Sequence, residues 1–229
     1  MNVRLLSHSS PTEEFATQGI TDAQELIAYC ARVSNPANQF TTETSERLIR
    51  YLVKHQHWSP LEMVSACIEI ETTRDIARQI LRHRSFSFQE FSQRYADPTA
   101  ELGQAFVLRE ARLQDTKNRQ NSVELDMESE DDRFLAAEWN RRQQEVIDLV
   151  KQNYTWAIGA GIAKEQARCM LPEGNTVSRM YMNGTIRSWI HYIMLRKENG
   201  TQKEHQNIAL ACARAIAAIF PMAANLVAK

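Results

Sequence analysis

The stretch RHRSFSFQEFSQRY, residues 82–95, places three arginines and a histidine among three phenylalanines. The guanidinium fork of arginine grips carboxylates and phosphates, and it does so well beside aromatic surface. Upstream, Arg74 and Arg78 bring the total to five arginines against the carboxylates of Asp75 and Glu90. An isolated arginine pair is more often a solvated helix face, but the aromatic run argues against that here. The composition predicts a site for a planar ring system that carries phosphate groups.

Glycine-rich phosphate binding does not fit this chain. It has seven glycines, and Gly159-Ala160-Gly161 lacks the third glycine of a dinucleotide-binding fingerprint. We therefore expect any phosphate to be held by side chains rather than by the turn of a Rossmann fold.

Two other groups of residues are weaker candidates for a functional site. His55 and His57 could share a metal ion, but no third or fourth ligand follows at metal-like spacing, so no metal is expected. Cys169 has the basic neighbour Arg168, which would favour a nucleophilic thiolate. The two apolar residues that follow it favour a buried, inert thiol instead, and this is the prediction.

The segment RSWIHYIMLR, residues 187–196, predicts an amphipathic helix with a row of polar groups. Arg187 and His191 are one turn apart and share a surface, and Arg196 follows about one turn later. A lone histidine in such a helix is usually a partner within the core. The two flanking arginines favour a row that faces a ligand.

The composition is that of a globular protein, with 43% hydrophobic residues, 24% charged residues and a net charge of −1. Near-neutral charge argues against a nucleic acid as partner. No apolar run approaches the roughly 20 residues of a membrane helix, and the N-terminus lacks the apolar core of a secretory signal. The four cysteines form no CxxC pair, which is typical of reduced thiols. We expect a cytoplasmic protein with no membrane partner.

The elements that must position these residues are strands and helices in mixed order. Alternating patterns predict strands at residues 2–7, 63–73 and 175–183. Helical spacing predicts helices at residues 21–34, 41–58, 74–84, 133–156, 164–171, 184–196 and 203–220. Because no regular βαβ series appears, the expected fold class is α+β or an irregular mixed α/β fold.

Residues 96–131 differ from the rest of the chain. They are polar, and the run SVELDMESEDDR, residues 122–133, is strongly acidic. We expect an exposed excursion that contains one short strand, QAFVLR at residues 104–109. Residues 1–229 as a whole are expected to form a single domain, with this excursion as its variable part.

The spacing within the first stretch resembles the signature of the flavin-dependent thymidylate synthases. That signature is Arg-His-Arg, seven residues, then Ser-x-Arg. Further segments similar to the family follow in its order, and the resemblance covers about residues 30–210. The matching positions are Arg82, His83, Arg84, Ser92 and Arg94, with ARVS ending at Ser34, HWSPLE from His57, Gln79, Arg168 in ARCMLP, and RSWIHYIMLR ending at Arg196.

The resemblance implies reductive methylation of dUMP to dTMP. In the family, 5,10-methylenetetrahydrofolate gives the one-carbon unit, FAD relays hydride, and NADPH reduces the flavin. The implied fold packs helices on a small, mainly antiparallel sheet. The implied assembly is a homotetramer whose active sites are shared between subunits.

The resemblance also implies roles for individual residues. Positions similar to those on the FAD side are Ser34, His57, Ser59, Glu62, Arg82, His83, Arg84, Glu90, Thr185, Arg187 and His191. Positions similar to those that bind dUMP are Gln79, Arg82, Glu90, Ser92, Gln93, Arg94, Arg168 and Arg196.

Arg196 is implied to lie next to uracil N3 and is the expected catalytic residue. A guanidinium has a pKa above about 12 and cannot act as a base. It can stabilise the negative charge that develops on the pyrimidine as N3 ionises. Ser92 has no base beside it in the sequence, so binding is the expected role of its hydroxyl.

The alternative function is a non-catalytic RNA-binding module. The arginines would then contact phosphates and the phenylalanines would stack on bases. Near-neutral net charge and the acidic residues outside the motif argue against this alternative.

Overall fold

Four antiparallel strands form the central sheet of the computed structural model, which describes residues 2–226. In spatial order they are β1 (Asn2–His8), β2 (Ser65–Thr73), β6 (Val177–Thr185) and β3 (Ser87–Glu90). Two further strands, β4 (Arg112–Gln114) and β5 (Ser122–Glu124), form a separate hairpin. The small antiparallel sheet expected from the resemblance is thereby confirmed.

Helices account for most of the regular secondary structure. The α-helices are α1 (Glu13–Thr17), α2 (Ala23–Ala31), α3 (Ser45–Lys54), α4 (Arg74–Ile80), α5 (Pro98–Glu101), α6 (Glu130–Gly159), α7 (Lys164–Ala167), α8 (Ile186–Arg196) and α9 (Lys203–Ile216). Short 3-10 helices lie at Pro36–Asn38, Ser59–Glu62, Arg168–Met170 and Pro221–Leu226. The mixed order of strands and helices confirms the α+β fold class.

The core lies on one face of the sheet, under α4, α8 and α9. Ile68 on β2 pairs in register with Met182 on β6, and Ile70 pairs with Met180; all four side chains are fully buried. Period-2 alternation places them on the same face. Trp189 of α8 joins this cluster, and its indole N–H donates to the Ala66 carbonyl at 3.0 Å. Burial of each large apolar side chain stabilises the fold by roughly 1.5–3 kcal/mol.

Charged pairs occupy the opposite face of the sheet. Arg4 Nε on β1 donates to Glu69 on β2 at 2.6 Å, and Arg179 on β6 donates to Glu71 on β2 at the same distance. These cross-strand pairs alternate with the apolar positions, so β1, β2 and β6 each present one apolar and one polar face.

The prediction of a strand at residues 104–109 is wrong. Only Phe106 makes an isolated bridge, to Thr176. Its side chain is buried in a second apolar cluster with Ile147 and Tyr154 of α6. The apolar pattern therefore marks packing against a helix rather than a paired strand.

The acidic excursion is also more ordered than predicted. It holds α5 and the β4–β5 hairpin, and its last residues begin α6, whose first residue is Glu130. Ser129 caps this helix, and its hydroxyl accepts from the Asp132 N–H. Acidic side chains in a first turn stabilise a helix through its dipole, so the charge run starts a helix instead of preventing one.

Several predicted helices are longer than the observed ones, and the difference is largest at residues 41–58. Residues 41–58 were expected to be helical, whereas α3 ends at Lys54. Gln56 adopts φ of 59°, the left-handed conformation that terminates helices. The remaining residues form a turn and the 3-10 helix Ser59–Glu62.

A glycine on β6 sets the position of the arginine-rich turn after α4. Phe86 of this turn is buried, and its ring lies edge-on to Trp189 with 4.8 Å between ring centroids. A Cβ at Gly184 would lie 2.6 Å from Phe86 Cε1, closer than atoms can approach. The missing side chain at Gly184 therefore lets the Phe86 ring pack against β6.

We expect Gly184→Ala to lower the free energy of unfolding by about 1–3 kcal/mol, because the added methyl group overpacks the site of Phe86. Urea unfolding measures this change. Gly103→Ala is the matched control, since Gly103 is exposed and an added Cβ there meets nothing within 4 Å. Equal stability of the two variants would contradict the proposed packing.

Candidate functional site

The turn after α4 is joined to α8 by a hydrogen bond between two predicted site residues. Arg196 Nε donates to His83 Nε2 at 2.9 Å. The His83 ring is half-buried and lies edge-on to Tyr192, with 4.9 Å between centroids. Burial, together with the adjacent Arg196 cation, lowers the pKa of His83 to about 4. His83 is therefore neutral near pH 7 and accepts a hydrogen bond at Nε2.

Four polar side chains form a hydrogen-bonded chain beside this pair. His205 Nδ1 lies 3.2 Å from Gln79 Oε1, and His205 Nε2 lies 3.1 Å from the Tyr192 hydroxyl. Gln79 Nε2 donates to Gln202 Oε1 at 2.8 Å. Burial, with the charges of Arg196 and His83, lowers the pKa of His205 to about 3. Burial also raises the pKa of Tyr192 well above its ordinary value. Of these four residues, the sequence had singled out only Gln79.

The arginines of α4 are neutralised by carboxylates. Arg74 lies 3.6 Å from Glu90 and 3.7 Å from Glu173, and Arg78 pairs with Glu173. Glu90 also accepts from the Ser178 hydroxyl at 2.8 Å. Glu90 is thus held inside the protein's own ion-pair cluster.

The arginines of the turn are not neutralised in this way. Arg82 and Arg84 are exposed, and within residues 2–226 neither contacts a carboxylate. Arg196 contacts His83 but no carboxylate of that range. Unpaired guanidinium groups beside aromatic rings are the donor set that a phosphate-bearing ligand requires.

A second group of predicted residues follows β3. Ser92 is half-buried, and Gln93 is 3% exposed with its amide nitrogen unpaired among the described residues. Arg94 lies 3.4 Å from the Glu165 carboxylate, and Arg168 Nε donates to the Glu165 carbonyl at 3.3 Å. The short helix α7 therefore brings Arg94 and Arg168 to the same residue, although 74 positions separate them in the sequence.

A third group lies at the N-terminal half of α8. Glu62 of the 3-10 helix pairs with Arg187, and the Trp58 ring lies edge-on to His191 at 4.5 Å. Burial and the charge of Arg187 lower the pKa of His191. Thr185 is the N-cap of α8, and its hydroxyl accepts from the Ser188 N–H at 3.2 Å.

The remaining predicted FAD-side residues are exposed. His57 and Ser59 flank Trp58, and the His57 ring lies 6.1 Å from the ring of Tyr51. Ser34 lies in the turn after α2. No contact joins Ser34 to the other predicted residues within residues 2–226.

The single row of polar groups predicted on α8 does not hold for Arg196. Arg187 faces Glu62, whereas Arg196 faces His83 on the turn after α4. The nine positions between the two arginines correspond to about two and a half helical turns, which places them on opposite sides. The helix separates two groups of predicted residues instead of presenting one surface.

The Cys169 thiol is exposed, so its predicted burial is wrong. It lies in the 3-10 helix Arg168–Met170, and the Met170 side chain is exposed as well. The apolar pair Met170-Leu171 misled the prediction because only Leu171 turns inward.

Apart from the buried Gln93, the predicted residues are exposed or half-buried. A cavity of about 1120 Å³ lies between the β4–β5 hairpin, α6 and the start of α9, and a smaller one of about 420 Å³ adjoins Arg179. Neither cavity includes a predicted site residue. Within residues 2–226, no three His, Cys, Asp or Glu side chains are grouped to hold a metal ion, and no helix is long and apolar enough to span a membrane.

Comparisons with known proteins agree on one family. The family model described as "Thymidylate synthase complementing protein" matches residues 17–222. The probable flavin-dependent thymidylate synthase of Paramecium bursaria Chlorella virus 1 is 46% identical over 225 residues, covering 98% of each chain. The flavin-dependent thymidylate synthase of Synechocystis sp. is 47% identical with the same coverage.

A solved structure has the same fold. It is that of the UMP/dUMP methylase PolB from Streptomyces cacaoi bound with 5-Br dUMP. The TM-score is 0.77 at 24% sequence identity, covering 98% of this chain and 93% of that chain.

We expect the buried His205 to make folding pH-dependent. Its pKa of about 3 lies below its ordinary value of 6.5, so the unfolded chain binds the proton more readily. Its contribution to stability is present above pH 6.5 and is lost as pH falls towards 3. Between pH 7.5 and 5.5 this loss amounts to about 1.4 kcal/mol.

Denaturant unfolding at both pH values, at fixed protein concentration, measures the effect. His205→Asn removes the titrating group and should show a smaller loss of stability over the same range. An equal loss in the variant and the unchanged protein would contradict the assignment to His205.

Proposed function

Since the chain belongs to the flavin-dependent thymidylate synthase family, we propose that it catalyses the reductive methylation of dUMP to dTMP. The one-carbon donor is 5,10-methylenetetrahydrofolate and the reductant is NADPH. When bound, FAD supplies the hydride relay between them. The observation that carries this proposal is the set of three guanidinium groups, Arg82, Arg84 and Arg196, around one aromatic-lined turn, none of which contacts a carboxylate within residues 2–226. The RNA-binding alternative gains no support from the relatives, which are named as enzymes.

The FAD-side residues fit an anionic, planar cofactor. Arg82 and Arg84 would hold its phosphates, because neither is neutralised by a carboxylate within residues 2–226. His83 would present its Nδ1 hydrogen, because Nε2 already accepts from Arg196. The other residues assigned to FAD are Ser34, His57, Ser59, Glu62, Glu90, Thr185, Arg187 and His191.

The dUMP phosphate would bind where Arg94 and Arg168 converge. Both arginines already contact Glu165, one through its carboxylate and one through its carbonyl. A phosphate at this place would replace the Glu165 carboxylate as the partner of Arg94. The other residues assigned to dUMP are Gln79, Arg82, Glu90, Ser92, Gln93 and Arg196.

Arg196 is the residue assigned to the chemical step. Its Nε is occupied by His83, which leaves the two terminal nitrogens of the guanidinium for uracil. Placed next to N3, this cation would stabilise the negative charge that forms on the pyrimidine and so make C5 more nucleophilic. The remaining contribution of the protein is to hold the reacting groups close together.

We also propose that the chain forms one domain with a variable segment at residues 96–131 and acts as a cytoplasmic homotetramer. In a single chain the assigned residues other than Gln93 are exposed or half-buried. Helix α6 exposes large apolar side chains, among them Phe134 at 74%, Leu149 at 59% and Trp156 at 62% exposed. Such side chains are typical of a surface that another subunit covers. Shared active sites would then be completed by a second copy.

Arg196→Ala is expected to abolish dUMP-dependent methyl transfer while FAD remains bound, because the substitution removes the cation beside N3 but not Arg82 or Arg84. The assay follows NADPH oxidation and dTMP formation with and without methylenetetrahydrofolate. Flavin absorbance of the purified variant reports cofactor binding. Wild-type turnover by this variant would overturn the assignment of Arg196.

Cys169→Ala is expected to retain full activity in the same assay, because Arg196 rather than a thiol activates the pyrimidine. The thiol is exposed, so its removal leaves no buried cavity. Complete loss of activity in a folded, FAD-loaded Cys169→Ala protein would instead identify a nucleophilic cysteine.

A further inference from the structure

The buried His205 is not among the assigned residues, but it forms a hydrogen bond with one of them, Gln79. His205 lies on α9 and is fully buried. Its two ring nitrogens contact Tyr192 of α8 and Gln79 of α4, so it joins three helices through polar contacts. Gln79 is half-buried and is the member of this chain that the proposed function assigns to dUMP.

The hydrogen bonds that link Tyr192, His205, Gln79 and Gln202 all run in one direction, from donor to acceptor. The buried Tyr192 hydroxyl has no hydrogen-bond partner other than His205 within residues 2–226. Its hydrogen would be left unpaired in the core if it accepted from His205, so it donates to His205 Nε2. The neutral imidazole then carries its hydrogen on Nδ1 and donates it to Gln79 Oε1. The amide nitrogen of Gln79 donates in turn to Gln202 Oε1.

This direction determines which way the Gln79 amide faces. An amide rotated by 180° would place its NH₂ group against the Nδ1 hydrogen of His205, two donors facing each other. It would also place Oε1 against Oε1 of Gln202. Leaving these groups unpaired in a buried setting is costly, so one orientation is favoured. In that orientation the second hydrogen of Gln79 Nε2 has no partner within residues 2–226.

We propose that His205, held by Tyr192, is a positioning residue for dUMP binding. It orients the Gln79 amide so that a free N–H is presented to an acceptor atom of the nucleotide. This inference rests on the proposed function, because it takes Gln79 to be a dUMP contact. His205 itself touches no substrate.

Two substitutions at position 205 separate positioning from packing. The terminal amide of asparagine reaches the place of Nδ1, so His205→Asn keeps a donor for Gln79. The longer glutamine places its amide near Nε2, so His205→Gln keeps a partner for Tyr192 and removes the donor to Gln79. We expect His205→Gln to raise the KM and Kd for dUMP about fivefold to tenfold, with little change in kcat. His205→Asn should stay close to the unchanged protein in both constants.

A double-mutant cycle with Gln79→Ala supplies the second measurement. Once Gln79 is gone, His205 has no amide to orient, so adding His205→Gln should weaken dUMP binding no further. Losses that multiply in the double variant, or an unchanged Kd in His205→Gln, would overturn the proposal. Tyr192→Phe keeps the ring but removes the hydroxyl, and it should weaken dUMP binding in the same direction. It carries the test if His205→Gln does not fold.

The unchanged, FAD-loaded protein distinguishes this inference from the proposed function. Equilibrium dialysis with labelled dUMP gives the Kd without turnover, and the NADPH oxidation assay gives KM and kcat. An unchanged protein that neither binds nor methylates dUMP overturns the proposed function. If the unchanged protein binds and methylates dUMP, but the effects of the His205 and Gln79 substitutions on dUMP binding are independent, only the role of His205 is overturned.

Discussion

The hydrogen bond from Arg196 to His83 joins the two parts of the chain on which the candidate site depends. Arg196 ends α8, and His83 lies in the turn after α4. The bond requires a neutral imidazole, and the guanidinium cation together with burial maintains that neutral form. Each partner therefore sets the state of the other: the cation keeps His83 uncharged, and His83 fixes the direction of the guanidinium. The arginine-rich turn and the end of α8 can then act as one group.

Apolar packing around Phe86 fixes the position of the turn that makes this polar contact. Phe86 lies against Gly184 and Trp189, so the turn that carries His83 is attached to β6 and to α8 at once. The hydroxyl of Ser188 adds a bond to the Ser85 carbonyl at 3.2 Å. Because the turn is fixed at these points, Arg82 and Arg84 extend into solvent without needing carboxylate partners of their own. Rigid packing thus permits an exposed cluster of like charge.

Sequence reasoning predicted the longer helices and the strands β1, β2 and β6, and it missed α1, α5, β3 and the β4–β5 hairpin, which are short. It also failed where contacts are distant in the chain. Alternation in β2 and helical spacing in α8 were sufficient because each reports one buried face. The signature around Arg82 and Arg94 was predictable because its spacing is local. The Gln79–His205–Tyr192 chain was not, because three helices supply it and no spacing signals it. Likewise, Phe106 was assigned to a strand because periodicity does not reveal what an apolar side chain packs against.

Helix α8 links the positions of the residues at its two ends. It is a rigid rod of about 16 Å, contacted near its start by Glu62 and Trp58 and at its end by His83. Because the Arg187 and Arg196 contacts lie at opposite ends and on opposite sides of the helix, a tilt about its middle would tighten both contacts or loosen both. A ligand that displaced Arg187 would therefore also displace Arg196 at the other end of the helix.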